Sequence, residues 1–501
     1  MATINFINPS SKTRNYHRNY SYDYRELVKV LNDRSGTALS RYNDTASAVQ
    51  TAILNKCLTE GRRARFMGSK WSLSEAPYGR DYIVDVSSLN LVVPLSENDK
   101  HSLNNDSIEN FSFVQSGKKI KSITNHLEKR NKSLKTSGAS NGQTIAGAIG
   151  TGVHGSAIDV GSIQDYVVGL HIITSGQETV YIERESRPIL NDQFATKINA
   201  RMIRNDAAFN AALVSLGACG YVYGILMEVE DIFLLERHIL KLSRAKALAL
   251  ANSQNFAASQ DLPHPGERPY HYKLYINTYK VTDPFIVEVM YKRPYEPHDS
   301  PIDAIQSSLY GDIPKLIGKI VSQVGSSASA FANLLKGQVF PDADDLVEYG
   351  TLGEIFYDTN SGSSVFGIAI AVDTSNCEKV LNIMEGIILD LNVPGLPSIR
   401  FVKGTNATLG FTKFSKTAVV EVDGVQWKQL DLFLTKLTAA LRSSALDFGL
   451  HWGKNADWNS GLVDRMYGAK KSNWSQERDN LVSPQFKAVF ANKFLDEIGL
   501  S

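Results

Sequence analysis

The chain has few cysteines and no long apolar run, and both absences exclude whole classes of protein. Its 501 residues include three cysteines, Cys57, Cys219 and Cys377, which are too scattered for a disulfide framework or a cysteine metal site. No apolar run approaches the roughly 20 residues that cross a membrane, and the first 20 residues lack the apolar core of a secretory signal. These features predict a cytoplasmic protein without a membrane partner and without a metal site.

An excess of charge of one sign is also missing. The chain has 53 Lys and Arg against 52 Asp and Glu, a net charge of +1, so we do not expect it to bind nucleic acid through bulk electrostatics. A hydrophobic content of 43% and a charged content of 21% are typical of globular proteins. The length allows two or three domains. Composition does not indicate an oligomeric state.

One glycine-rich stretch has the spacing of a dinucleotide-binding turn, Gly150-x-Gly152-x-x-Gly155. In the Rossmann fold this turn follows a buried strand and opens a helix whose N-terminus receives the pyrophosphate. Here residues 136–144 before it are polar, and a β-rich run follows at 166–174. We therefore predict a loop beside strands instead of a Rossmann turn. Such a loop either brings bare N–H groups against a phosphate or flat ring, or is only a structural turn.

Four ordered segments are more specific than the glycines alone. They are RARFMGSKWSLSEAP at 63–77, the long stretch 136–174, VSLGACGYVYGILMEVED at 214–231, and HWGK at 451–454. Their order and separations resemble the FAD-binding domain of the vanillyl-alcohol-oxidase superfamily. Within that superfamily they are most similar to the aldonolactone and alditol oxidase branch.

The resemblance implies an α+β fold with three parts. Residues 1–232 are expected to form a PCMH-type FAD-binding domain of two α/β subdomains. Residues 233–445 are expected to form a substrate or cap domain, with an antiparallel sheet flanked by helices at 302–322, 374–390 and 424–443. An apolar stretch at 326–340 hints at a cap helix or a lipophilic pocket. Residues 446–501 are expected to return to the FAD domain.

The resemblance also implies which residues bind FAD. In this family a first loop wraps the pyrophosphate with backbone N–H groups, a glycine-rich segment lines the diphosphate, ribitol and isoalloxazine, and a third segment reaches the adenosine side. Small residues suit this role because they let backbone approach a flat ring. The residues expected to bind the cofactor are Phe66, Met67, Gly68, Ser69, Lys70, Trp71, Ser72, Ser137, Gly138, Thr144, Gly147, Ala148, Thr151, Gly152, His154, Gly155, Gly217, Gly220, Val222 and Lys454.

The first loop departs from the family pattern. Many relatives have a histidine there that is joined covalently to the flavin, but Trp71 stands at that position and an indole cannot form the link. We therefore expect noncovalent FAD. Lys70 replaces a glycine and either supplies charge to the pyrophosphate or faces solvent. His154 is another conceivable attachment point, although the matching histidine of relatives is normally structural.

Four residues are candidates for catalysis. Lys454 would stabilise negative charge that develops on the flavin, unless it is simply a solvated lysine. Glu421 matches a strand glutamate that faces the flavin in relatives and would accept the substrate proton, or it is an exposed strand residue. His451 is either a polar group near the substrate or a packed motif histidine. Ser156 either touches substrate hydroxyls or supports the flavin.

A second departure concerns the substrate. Alditol-oxidising relatives have an arginine two residues after the strand glutamate, on the same strand face, and here that position is Asp423. The absence of the Glu-x-Arg pair puts a polyol or sugar-lactone substrate in doubt. Tyrosines at 270, 272, 275 and 279 either form a substrate platform or are half-buried sheet residues.

Together these residues predict an FAD-dependent oxidoreductase that oxidises a CH–OH group by hydride transfer to flavin N5. Its substrate would be a small molecule: a sugar, alditol, lactone or secondary-metabolite alcohol. Oxygen is the expected acceptor, because Gly155 occupies a small-residue position that leaves oxygen a path to the flavin in relatives. The alternatives are a tailoring oxidase or oxidative cyclase, a dehydrogenase with another acceptor, and a non-catalytic flavin-binding module.

Overall fold

The computed structural model describes residues 2–7, 13–138, 141–302, 330, 333, 346–357 and 364–501. Apart from residues 302, 330 and 333, the helix predicted at 302–322 and the apolar stretch 326–340 lie outside the described residues. Among the residues described, no helix is long and apolar enough to cross a membrane.

The first 232 residues supply two main sheets and six helices. The strands are β1 (Thr3–Ile7), β2 (Thr13–Arg14), β3 (Ser21–Tyr22), β4 (Glu26–Leu31), β5 (Ala64–Met67), β6 (Tyr82–Asp85), β7 (Val92–Val93), β8 (Phe111–Gln115), β9 (Lys132–Ser133), β10 (Val167–Ile173), β11 (Thr179–Glu183), β12 (Arg201–Arg204), β13 (Tyr221–Glu228) and β14 (Glu230–Asp231). The helices are α1 (Ala38–Ala48), α2 (Asn55–Thr59), α3 (Ile120–Glu128), α4 (Ile145–Thr151), α5 (Asp192–Lys197) and α6 (Asp206–Leu213), with a π-helical segment (Val49–Leu54) joining α1 to α2.

The two sheets of this half differ in strand direction. The first has the order β1-β4-β6-β5, in which β4, β6 and β5 run parallel. The second has the order β12-β11-β10-β13-β8-β7 and is antiparallel apart from the parallel β11–β12 pair. Every residue of β10 is buried, as expected for a central strand whose sequence, VVGLHII, is nearly all apolar.

The next region is built on one eight-stranded sheet. Its strands are β15 (Phe233–Leu242), β16 (His271–Tyr275), β17 (Phe285–Pro294), β18 (Leu346–Thr351), β19 (Val365–Asp373), β20 (Gly395–Lys403), β21 (Lys416–Val425) and β22 (Gly449–Leu450). They pair antiparallel in the order β18-β15-β17-β16-β20-β21-β19-β22. The described helices here are α7 (Arg244–Ser253), α8 (Leu352–Ile355), α9 (Cys377–Leu391) and α10 (Leu430–Ser443).

Helices α7, α9 and α10 lie on one side of this sheet. Tyr272 of β16 points to that side and donates its hydroxyl to the carbonyl of Ala247 in α7 (3.2 Å). Residues of β16 alternate in facing, so Lys273 and Tyr275 point to the other side. The helix predicted from residue 424 begins only at Leu430, because β21 continues to Val425.

The C-terminal helices pack back on the first half of the chain. They are α11 (Ser460–Tyr467), α12 (Ala469–Leu481), α13 (Pro484–Phe490) and α14 (Lys493–Glu497). In α12, the buried indole of Trp474 donates to the carbonyl of Ala211 in α6 (2.9 Å). At the end of α13, the carbonyl of Phe490 accepts from the buried guanidinium of Arg65 in β5 (2.6 Å). These contacts hold β5 and the loop that follows it.

The glycine-rich stretch differs from its prediction. Residues up to Thr151 form α4, which ends where Gly152 adopts the left-handed conformation (φ 77°). The loop prediction is therefore wrong for Gly147 to Thr151, because glycine lowers helix propensity by only about 1 kcal/mol and packing overrides it. Ile145, Ala148 and Ile149 are buried and supply that packing. In the Rossmann fold the glycine turn precedes the helix. Here α4 comes before the end of the glycine pattern, so the arrangement is not a Rossmann turn.

Candidate active site

A cavity of about 320 Å³ lies between the first half of the chain and the eight-stranded sheet. One wall consists of β5 with the loop after it, α4, and the segment 215–222. The opposite wall is the face of β16, β20 and β21 that points away from the helices. HWGK at 451–454 closes one side. The four segments that carried the family resemblance therefore meet around one space.

Most predicted site residues line this cavity. They are Phe66, Met67, Gly68, Ser69, Lys70, Trp71, Ser72, Thr144, Gly147, Thr151, His154, Gly217, Gly220, Val222, Glu421, His451 and Lys454. The remaining predicted residues are not part of its lining: Ser137, Gly138, Ala148, Gly152, Gly155 and Ser156. Ala148 is fully buried on the core side of α4, which explains its place outside the cavity.

Two of these exceptions have structural roles instead. The hydroxyl of Ser156 donates to the carbonyl of Tyr272 (2.6 Å) and accepts from the amide of Phe401 (3.2 Å), so it fastens the glycine-rich segment to β16 and β20. A Cβ on Gly155 would lie 2.4 Å from Thr136 Oγ1 and 2.6 Å from the carbonyl oxygen of Ser137. Ser156 is thus bound to β16 and β20, and the glycine at 155 permits a close backbone approach; contact of either residue with substrate or FAD stays a prediction.

The first loop and α4 approach each other too closely for larger side chains. A Cβ on Gly68 would lie 1.9 Å from Thr144 Oγ1, and the amide of Thr144 donates to Ser69 Oγ (2.7 Å). On the far side, Gly217 and Gly220 adopt positive φ angles of 77° and 106°. These glycines leave bare backbone along the cavity, which is the kind of surface that a flat ring and a diphosphate require. The residues present therefore fit FAD.

Trp71 is held by residues of the N-terminal segment. Its indole stacks on the ring of Tyr16, with centroids 4.6 Å apart and planes 8° from parallel. The amide of Tyr16 donates to the carbonyl of Lys70 (2.8 Å), and Lys70 Nζ donates to Thr13 Oγ1 (3.3 Å). Lys70 itself adopts a positive φ of 60°. Lys70 thus lines the cavity, while its ammonium group is hydrogen-bonded to the N-terminal segment.

A buried ion pair forms the centre of the sheet wall. Glu421 in β21 is fully buried, and its Oε2 accepts from Nε of Arg400 (2.5 Å) in the neighbouring strand β20. The other carboxylate oxygen, Oε1, has no hydrogen-bond partner among the described residues. Burial lowers the pKa of Arg400, but the carboxylates of Glu421 and Asp423 outweigh it, so the pKa is raised and the guanidinium stays charged.

A second ion pair lies one step along β21. Asp423 Oδ1 is 2.6 Å from Nζ of Lys454, which follows the HWG residues. Gly367 in β19 makes room for this pair, because a Cβ there would lie 2.4 Å from Asp423 Oδ1 and 2.7 Å from Lys454 Nζ. The residue that replaces the family arginine therefore anchors the lysine expected beside the flavin.

Two neutral histidines line the cavity near this wall: His154 lies beside Glu421, and the ring of His451 lies 5.7 Å from that of His154. Burial lowers the pKa of His154 well below its usual value, and the cation of Arg400 lowers it further. His154 Nδ1 donates to the carbonyl of Gly155 (3.0 Å), which leaves the Nε2 lone pair 3.7 Å from Glu421 Oε1. Burial also lowers the pKa of His451, whose Nδ1 accepts from the amide of Gly453 (2.9 Å). Two acceptor atoms, one on Glu421 and one on His154, thus face each other.

Lys273 lies in this wall and was not predicted from the sequence. Burial, reinforced by the cation of Arg400, lowers its pKa to about 8. Its Nζ lies 4.2 Å from the centre of the Tyr275 ring, and both residues line the cavity. The sequence signal that could have identified it is a lysine in the middle of the strand HYKLY, on the face opposite Tyr272. The other three tyrosines of the proposed platform do not line the cavity.

Arg400 was also missed, and its signal was weaker. The sequence GLPSIRFVK of β20 shows one charged residue in an apolar strand. Strand pairing then sets Ser398 opposite Glu421, so Arg400 lies diagonally across from the glutamate on the same face. The Glu–Arg pair that is absent within β21 is therefore present between two strands.

Comparison with known proteins agrees with this geometry. A family model described as an FAD binding domain matches residues 44–182. The chain is 28% identical over 174 residues to a putative D-arabinono-1,4-lactone oxidase of Neurospora crassa, covering 35% of this chain and 26% of that protein. It is 22% identical over 257 residues to the L-gulono-1,4-lactone dehydrogenase of Mycobacterium tuberculosis, covering 51% and 50%. The chain thus spans half or less of the curated relatives it matches.

A solved structure extends the likeness to the whole fold. Cholesterol oxidase from B. sterolicum superimposes with a TM-score of 0.68 and 14% identity, over 99% of this chain and 97% of that one. At this identity the likeness shows the fold alone, while residues 44–182 match an FAD binding domain and so support the family resemblance. This confirms the family resemblance and the α+β fold class, including the antiparallel sheet of the second region.

Proposed function

We propose that the chain is an FAD-dependent oxidoreductase that oxidises a CH–OH group of a hydroxylated small molecule, with a sugar lactone or related polyol as the substrate class. The observation that carries the proposal is the free oxygen of Glu421. A fully buried carboxylate that lines the cavity, with one oxygen held by Arg400 and the other without a hydrogen-bond partner among the described residues, is a preorganised proton acceptor. When bound, FAD supplies the redox chemistry that takes up the hydrogen and two electrons of the C–H bond.

Residues of the chain itself bind the substrate hydroxyl and accept its proton. Glu421 Oε1 and the nearby His154 Nε2 receive the substrate hydroxyl, and Glu421 takes its proton. Arg400 holds the carboxylate in place. His451, which is neutral and carries its proton on Nε2, is left as a donor toward the substrate side.

The inter-strand Glu421–Arg400 pair supports the proposed substrate class. The doubt about sugar lactones rested on the missing arginine at position 423, and the structure supplies a guanidinium from β20 instead. Two relatives with matching segments are named for five-carbon or six-carbon lactones. A panel of aldonolactones and alditols, mixed anaerobically with the protein, tests the proposal: bleaching of the flavin spectrum supports it, and failure of every member contradicts the substrate class.

FAD is proposed to be noncovalent. Trp71 lies at the family's linking position and is stacked on Tyr16, while His154 uses Nδ1 for a backbone carbonyl. Acid precipitation of the purified protein should release yellow FAD into the supernatant. A yellow pellet would show a covalent bond, and a colourless protein that cannot be reconstituted with FAD would contradict the cofactor assignment.

Oxygen is proposed as the electron acceptor. The support is the oxidase name of several relatives, since Gly155 packs against Thr136 and Ser137 and so does not itself open a path. Oxygen consumption during turnover supports an oxidase. Turnover only with an artificial dye would assign a dehydrogenase.

Lys454→Met should slow turnover by about 10²–10³-fold, because a fixed cation beside developing negative charge contributes this much when water is excluded. The measurement is the anaerobic rate of flavin reduction by substrate. Lys413→Met is the matched control, since Lys413 also pairs with an aspartate, Asp447, but outside the cavity lining. Equal rates in the two variants would contradict the role of Lys454, and the absence of flavin reduction by substrate in the unaltered protein would favour the non-catalytic flavin-binding module.

Lys273 should cause an alkaline limb, a fall at high pH, in the pH profile of kcat/KM. Its pKa of about 8 makes it a cation below pH 8 and a neutral amine above it. If the cation donates to a substrate oxygen, kcat/KM falls as pH rises through about 8. Lys273→Met should have a lower kcat/KM below pH 8 and no such limb, as measured by kcat/KM between pH 6 and 10. A limb that persists in the variant would contradict this role.

A further inference from the structure

A cluster of two histidines and a glutamate lies on the opposite side of the eight-stranded sheet from the cavity. Glu236 and His238 are two residues apart in β15 and so share a face, while Arg237 between them points to the cavity side, where it pairs with Glu288 (2.7 Å). His264 comes from the segment between α7 and β16. None of the three cluster residues lines the cavity.

The ligand atoms of the cluster converge on one point. Glu236 Oε1 lies 2.8 Å from His238 Nε2 and 2.8 Å from His264 Nε2, and all three atoms lie within 4.8 Å of one another. The two imidazole planes are 82° apart, with centroids separated by 5.4 Å, so their nitrogens approach from different directions. Two nitrogens and one carboxylate oxygen in this arrangement are a common ligand set of zinc.

We propose that Glu236, His238 and His264 bind a divalent transition metal ion, with Zn²⁺ as the expected occupant. Tetrahedral Zn²⁺ with bonds of about 2.0–2.2 Å separates neighbouring ligand atoms by about 3.3–3.5 Å, so each side chain needs to move by only about half an ångström. The side chains of Glu236 and His238 are 6% and 10% exposed, whereas that of His264 is 36% exposed. The open side leaves the fourth position to water.

The charges around the cluster are compatible with a cation. Arg293 pairs with the other oxygen of Glu236, which alone would repel a metal ion. Glu267 pairs in turn with two nitrogens of Arg293. Together the carboxylates of Glu236 and Glu267 and the guanidinium of Arg293 carry a net charge of −1.

The consequence of metal binding would be structural. The segment 254–270 contains one short 3₁₀ turn, Phe256–Ala258, as its regular element. A metal ion would tie His264 of this segment to the strand β15. Because the ion binds only the folded cap, it should raise the melting temperature in a concentration-dependent way.

The test uses tag-free, FAD-loaded protein that has been stripped with EDTA and dialysed. Calorimetric titration with ZnCl₂ should show one site per chain, and the melting temperature should rise with Zn²⁺. His264→Ala should weaken binding by at least about 100-fold, since loss of even an outer partner costs 10–100-fold. His264 is half-exposed in a loop, so this variant is expected to fold; His238→Ala provides the second variant.

His101→Ala is the matched control, because His101 is a surface histidine away from the cluster. It should bind Zn²⁺ as the unaltered protein does and show the same rise in melting temperature. Absence of saturable binding at millimolar Zn²⁺ would overturn the proposal. Equal affinities for the unaltered protein and the His264→Ala variant would also overturn it, by assigning the ion to another place.

Discussion

Replacing Glu421 by glutamine should lower kcat/KM by about 10²–10⁴-fold, the usual contribution of a positioned proton acceptor. Glutamine keeps the shape of the side chain, and its oxygen still accepts from Arg400. What it lacks is the second carboxylate oxygen, which lies beside His154 without a hydrogen-bond partner among the described residues. The measurement is steady-state turnover with the substrate identified by flavin bleaching, together with FAD content from the visible spectrum.

Glu183→Gln is the matched control for this variant. Glu183 is also a fully buried glutamate paired with an arginine, Arg204, but it lies in β11 and does not line the cavity. Its loss should lower stability without changing kcat/KM. If Glu421→Gln kept both FAD and turnover within a few-fold of the unaltered protein, the proton would have to leave by another group, and the proposed mechanism would fail.

The second large effect is expected at Arg400. Arg400→Met leaves Glu421 buried without its cation, a change that typically costs about 3–5 kcal/mol. At the usual unfolding entropy per residue, this corresponds to about 3–5 °C in melting temperature for a chain of this length. Turnover should also fall, because Arg400 no longer holds the carboxylate of Glu421 in position to accept the substrate proton.

A double substitution separates the charge from the packing. Arg400→Met combined with Glu421→Gln removes both charges, so the melting temperature should recover part of the loss seen with Arg400→Met alone. Turnover should not recover. If the double variant were less stable than the unaltered protein by the sum of the two single losses, the two residues would act independently, contrary to the 2.5 Å contact between them.

The sequence predicted the contiguous segments that line the cavity better than it predicted the sheet wall. The first loop, from Gly68 to Ser72, lines the cavity in full because its residues are contiguous and follow a family pattern. The residues of HWGK are also contiguous, and His451 and Lys454 of this motif line the cavity. Contiguous motifs can be read directly, since the residues that act together are neighbours in the chain.

The substrate wall depends instead on strand pairing. Arg400 and Glu421 are on separate strands, and their contact follows from a register that no local pattern specifies. Lys273 is adjacent to Arg400 through a third strand, where the two residues are direct partners. The replacement of an expected arginine by Asp423 could be seen in the sequence, but the compensating guanidinium could not.

The position of the cavity has a consequence for how the protein unfolds. Its cofactor wall belongs to the first half of the chain and its carboxylate to the eight-stranded sheet, and Ser156 joins the two by hydrogen bonds to both β16 and β20. A ligand that fills the cavity therefore binds only when both halves are assembled, and its binding energy is added to their association. Bound FAD would therefore strengthen the association of the two halves, and loss of the cofactor would remove that contribution.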